Sequence, residues 1–144
     1  MEGRKVDDPA ACHHVHRAER VEFPGPGLRR HGFPFTDEQV NDGKRSYNSA
    51  CSTCHGNTLA NGTMGPHLAG QVFDAKWKDK TVADLFTYSR DHMTPSRPHS
   101  LPDETYAAIT AYILRMNGNE PGDQPLLTDP DALANQQILV PSAD

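Results

Sequence analysis

Apolar residues recur at helical spacing in three stretches of the chain, and between these stretches the period is lost. In the first, Val40, Gly43 and Tyr47 fall on one face behind Thr36-x-x-Gln39, which has the form of a capping box. A helix is predicted there, running to about Ala50. In the second, Val82, Leu85, Phe86 and, at its edge, Tyr88 follow Thr81-x-x-Asp84 and predict a helix that ends near His92. The third is the clearest. It starts near Pro102 with Asp103 and Glu104 in its first turn, where carboxylates favour the positive end of the helix dipole. Tyr106, Ile109, Tyr112, Ile113 and Met116 form its predicted buried stripe, and Asn117-Gly118 supplies the stop. Gly56, Gly62, Gly65, Pro66 and Gly70 break regular structure after the first helix, as Pro95 and Pro98 do after the second. The expectation is an all-α fold without a substantial sheet.

The flanks read differently. Residues 1–35 sustain no period and carry Cys12-His13-His14-Val15-His16 and then Pro24-Gly25-Pro26-Gly27, so an irregular, disordered segment is expected, with His13, His14, His16 and His31 solvated. Residues 119–144 hold four prolines and are expected to lie over the surface or stay mobile. That leaves 36–118 as one domain, which suits a chain of 144 residues. The net charge of −5, with no concentrated Lys/Arg face, excludes a nucleic-acid binder. No run of roughly twenty apolar residues offers a bilayer span, and no apolar stretch of the kind an export signal needs follows Arg4-Lys5.

Candidate chemistry concentrates at one point. Of three cysteines, two stand in Cys51-Ser52-Thr53-Cys54-His55, and Cys12 is left over. This is the c-type haem attachment pattern: two thiols three positions apart on a helical turn add across the haem vinyl groups as thioethers, and the next imidazole reaches the iron. Two other readings compete. A thioredoxin-like redox pair should follow a strand in a βαβ unit, whereas this motif follows a capped helix. Half of a zinc site would need two more ligands, available only from the cluster at residues 12–16 across a Pro/Gly-rich stretch.

Gly65-Pro66-His67-Leu68-Ala69-Gly70 follows the motif where class I cytochromes c carry Gly-Pro-x-Leu-x-Gly, and the chain resembles that family. From Thr36 to Gly118 the order also matches: a helix, the attachment motif, the Gly-Pro loop, Trp77, a short helix, a Met near Pro, and a last helix with Ala111-Tyr112. Within the family the chain is most similar to small cytochromes and haem domains associated with bacterial quinoprotein dehydrogenases. The resemblance implies one covalent haem c held by Cys51 and Cys54, with His55 as an axial ligand and the Pro66 carbonyl bonded to its ring N–H, which orients the imidazole. It implies Trp77 near a haem propionate, with ordinary core packing as the alternative, and Gly43 and Tyr47 meeting Tyr112 where the first and last helices cross.

For the distal ligand the candidates are Met64, Met93 and Met116. Met93 follows the short helix and precedes a Pro-containing loop, where the family places its axial thioether. Met116 fits core filling, and Met64 directly precedes the loop that supports the proximal side. Here Thr94 separates Met93 from Pro95, and His92 and His99 flank the loop, so a bis-His site is the chief rival. The function implied is a single-electron carrier, not an enzyme, passing electrons from a periplasmic dehydrogenase, either free or as a subunit of its complex, to a terminal oxidase or another cytochrome. The alternative is an open or labile distal site serving gas sensing or peroxide chemistry. A domain of this size has a small core, so the haem-free chain is expected to be largely unfolded.

Overall fold

The computed structural model describes residues 34–140; Cys12, His13, His14, His16 and His31 lie outside the described residues. Within these bounds the helices are α1 Asp37–Ala50, α2 Ser52–His55, α3 Gln71–Trp77, α4 Val82–His92, α5 Asp103–Met116 and α6 Pro130–Leu133. Extended pairing among the described residues amounts to an isolated bridge between Thr81 and Gln137. The architecture is all-α, as the periodicity predicts.

The two helix starts predicted at threonines are both capped, but differently. The Thr81 hydroxyl oxygen accepts from the Asp84 N–H at 3.2 Å and the Asp84 carboxylate accepts from the Thr81 N–H at 2.9 Å, so α4 has a complete reciprocal box. At α1 only half of the box forms. The Thr36 hydroxyl accepts from the Gln39 N–H at 3.1 Å, while the Gln39 amide turns to residue 126: Nε2 donates to the Leu126 carbonyl at 3.0 Å and Oε1 accepts from its N–H at 2.7 Å. A two-sided bond to the later segment outcompetes a single bond back to the cap. Helix α3 was not predicted, because its buried pair, Phe73 and Trp77, is a single i,i+4 repeat following a glycine.

Helix α5 carries more than a stripe. Every residue from Tyr106 to Leu114 is buried, since α1 covers one side, α4 another, and the cavity described below lies along Tyr106, Ile109 and Ile113. Ala107, Ala108 and Ala111 make such close approach feasible. Met116, predicted to close the buried stripe, is instead 47% exposed, because the helix emerges from this wrapping after Leu114. Where α1 and α5 cross, Gly43 lies so near α5 that a Cβ there would sit 1.9 Å from the Ala108 carbonyl oxygen. One turn on, the Tyr47 and Tyr112 rings pack with centroids 5.4 Å apart.

The segment after α5 runs back over the helices. Leu126, Leu133 and Ile138 are buried in the same core as Phe86 and Leu114. Buried Asn119 ties the ends of this segment together. Its Nδ2 donates to the carbonyls of Leu114 and Leu139, and its Oδ1 accepts from the Leu139 N–H, each at 3.1 Å. Val82 N–H donates to the Gln136 carbonyl and Ile138 N–H to the Lys80 carbonyl, which fastens the segment to the start of α4. Asn119→Ala strands buried backbone groups and is expected to cost about 2 kcal/mol. Hydrogen exchange at the Leu139 amide should accelerate towards the coil rate while α1 and α5 stay protected. Unchanged protection at Leu139 would contradict this account.

Candidate functional site

The end of α1 delivers the motif. Cys51 caps α1 by donating its N–H to the Tyr47 carbonyl at 2.8 Å, and its own carbonyl accepts from the His55 N–H at 3.0 Å to open α2. Gly56 then turns the chain with φ of +87°, a conformation that L side chains rarely adopt. The Tyr47 hydroxyl donates to the Gly56 carbonyl at 2.7 Å and so locks that turn against α1. Burial and the neighbouring Cys51 and Tyr112 push the Tyr47 phenol well above its ordinary pKa, keeping it a donor.

The following loop folds beneath the motif. The Cys54 carbonyl accepts from the N–H groups of Met64 and Gly65, at 3.3 and 2.9 Å. Gly65 lies flat against the imidazole: a Cβ there would be 2.8 Å from both Cε1 and Nδ1 of His55. Next to it, the Pro66 carbonyl stands 2.7 Å from His55 Nδ1. A carbonyl can only accept, so Nδ1 carries the proton and Nε2 keeps the lone pair that ligates a metal. His55 is 6% exposed, and its ring is held on two sides by backbone.

Cys51, Cys54 and His55 open on a cavity of about 230 Å³. Leu85 of α4, Trp77 of α3, and Tyr106, Ile109 and Ile113 of α5 give it a mainly apolar wall, and Met93, Thr94 and Pro95 line it from the chain that leaves α4. Both thiols are free. Burial, with the field of Cys54 second, pushes the Cys51 thiol up to about 11. Two thiols one helical turn apart, an imidazole with its metal-binding nitrogen unprotonated, a thioether and a broad apolar wall are the donor set a c-type haem requires, so the residues fit that group. Among the described residues the motif follows α1 with no strand before it, which speaks against a thioredoxin-like pair, while the ligands at residues 12–16 that a zinc site would need lie outside the described residues.

The sequence-predicted residues separate clearly in space. Pro66, Trp77 and Met93 line the cavity with the motif. His92 and His99 do not: the His92 ring stacks on Tyr88 with centroids 4.7 Å apart, and His99 Nε2 bonds the Asp91 carboxylate at 2.8 Å. Met64 also lines the cavity but is 69% exposed. Trp77 stands edge-on to Tyr88 at 5.7 Å, with the Lys76 ammonium over both rings. Sequence reasoning missed two residues here. The Tyr106 hydroxyl donates to the Met93 carbonyl at 2.6 Å. Asn117, read only as a helix stop, donates to the Leu68 carbonyl at 2.8 Å and accepts from the Gly70 N–H at 3.2 Å, tying α5 to the Gly-Pro loop. The only signal for either was a polar group at the edge of a strongly apolar helix.

Comparison with known proteins bears on the same region. A family model described as cytochrome C oxidase, cbb3-type, subunit III, matches residues 38–113. A cytochrome c-550-like protein of Synechococcus sp. (strain JA-3-3Ab) is 30% identical over 131 residues, covering 80% of this chain and 72% of the relative. No solved structure matches the chain significantly.

Proposed function

The chain belongs to the monohaem class I cytochromes c, electron carriers with covalently bound haem c, and from that membership we propose that it shuttles single electrons with His55 and Met93 as the two axial ligands. Haem c supplies an iron that holds or releases one electron. Cys51 and Cys54 anchor the group as thioethers, within a haem-binding unit spanning residues 36–118 against which the extension to residue 140 packs.

The observation that carries the reading is the placement of donors about one cavity. His55, oriented by Pro66 and Gly65, and Met93, tied by Tyr106, share it, while His92 and His99 are engaged outside. The Pro66 carbonyl keeps the His55 ring in one tautomer and one orientation. Met93 would favour ferrous iron and raise the potential. Leu85, Ile109 and Ile113 exclude water, so that little solvent reorganises when charge changes. Trp77, which lines the same cavity, would offer its indole N–H to a propionate. The donor we propose is a periplasmic quinoprotein dehydrogenase. The acceptor is a terminal oxidase or another cytochrome, in keeping with the oxidase subunit named by the family model.

Absorption spectra test the ligands. Ferric protein should show the weak red band of thioether ligation, and Met93→Ala should abolish it and lower the midpoint potential by on the order of 0.1 V. An open distal site would instead bind carbon monoxide and cyanide readily in the unmutated protein, without that band. Stopped-flow mixing with a reduced quinoprotein dehydrogenase should give fast reduction that is sensitive to ionic strength.

A further inference from the structure

Resting on Met93 as the distal ligand, we infer that His99 and Asp91 are positioning residues that clamp the Met93-bearing loop onto α4. Residues 93–102 connect α4 to α5, and from Pro95 to Ser100 every residue is exposed. Packing therefore contributes little to holding this stretch, and directional bonds at its ends decide how often it opens.

At the near end, the Tyr106 hydroxyl holds the Met93 carbonyl. At the far end, His99 folds back onto the last turn of α4 through two bonds. Its N–H donates to the Arg90 carbonyl at 3.0 Å, and its Nε2 meets Asp91 Oδ1 at 2.8 Å. That same oxygen accepts from Arg90 Nε at 3.0 Å. Arg90 in turn lies over the ring of buried Phe86, 5.3 Å from its centroid, with its other end 4.0 Å from Asp103 at the start of α5. The chain of contacts runs from the core through Arg90 and Asp91 to His99, and it joins the two helices that the loop connects.

Backbone conformation points the same way. His99 has φ of +62°, a left-handed conformation that non-glycine residues adopt at some cost. Two bonds made by one residue account for its persistence. His99, a rival ligand by sequence, is here a brace 56% exposed to solvent.

Cyanide binds ferric iron only after Met93 has left, so its binding rate reports the fraction of time the loop is open. His99→Ala, in the holoprotein, should accelerate cyanide binding roughly fivefold, a size set by one exposed charged hydrogen bond, and Asp91→Ala, which also removes the acceptor of Arg90, by at least as much. The double variant should be no faster than Asp91→Ala alone, because the side-chain bond that His99→Ala removes is already gone. His99→Gln, which keeps an N–H donor, should return the rate towards that of the unmutated protein. Thermal melting should move little throughout. Rates unchanged in the single variants, or multiplying in the double, would overturn the clamp while the red ferric band of the unmutated protein kept the Met93 assignment standing. Absence of that band in the unmutated protein would overturn both.

Discussion

Denied its haem, the chain is expected to lose cooperative folding altogether. The cavity of about 230 Å³ reaches into the middle of the helical core, where Leu85, Ile109 and Ile113 would face it on separate turns of α4 and α5. At roughly 24 cal/mol for each Å³ left unfilled, the deficit is about 5 kcal/mol. Domains of this size have total stabilities near that figure. The measurement is a urea melt, followed by circular dichroism, of the holoprotein beside Cys51→Ala/Cys54→Ala, which cannot form thioethers. The double variant should be colourless after acid–acetone treatment and show a broad, non-cooperative transition. A sharp transition at the midpoint of the holoprotein would mean that the helices pack on one another without needing the haem.

Gly43→Ala should be nearly as damaging, although alanine is the better helix former by about 1 kcal/mol. The added Cβ would stand 1.9 Å from the Ala108 carbonyl oxygen, 2.5 Å from its carbon and 2.9 Å from the Tyr112 Cβ. Two of these atoms are backbone, so the strain cannot be relieved by turning a side chain, and α1 must move away from α5. Tyr47 then loses its seat on Tyr112 and its hold on the Gly56 turn. A net loss of about 3 kcal/mol is expected, which for a domain of this size lowers the melting temperature by roughly 15 °C. Differential scanning calorimetry of the holoprotein reads it directly. A melting temperature equal to or above that of the unmutated protein would show that the helices can part freely.

Both effects meet at the attachment motif, because α1 sets the position of Cys51 through its last turn. Substitution at Gly43 therefore acts on the site although Gly43 does not line it. The Tyr47 hydroxyl, the Gly56 turn and the Cys54 carbonyl form one continuous support under His55, so the imidazole is oriented by backbone geometry more than by neighbouring side chains.

What the sequence by itself determined is what depends on near neighbours in the chain. The motif at residues 51–55, the stop at Gly118, the full cap at Thr81 and the three amphipathic helices all rest on contacts within about four residues. Only the tertiary structure decided where long polar side chains would spend their bonds. Gln39 abandoned its cap for Leu126, Asn117 and Asn119 reached the Gly-Pro loop and the final segment, and His99 bonded Asp91 outside the cavity, leaving Met93 to line it. The burial of α5 on nearly all sides and the emergence of Met116 were settled in the same way. The physical reason is common to these cases. A helical period reports one turn of backbone, whereas an amide or imidazole at the end of a flexible side chain takes whichever partner the folded chain brings near, and that partner can lie eighty residues away.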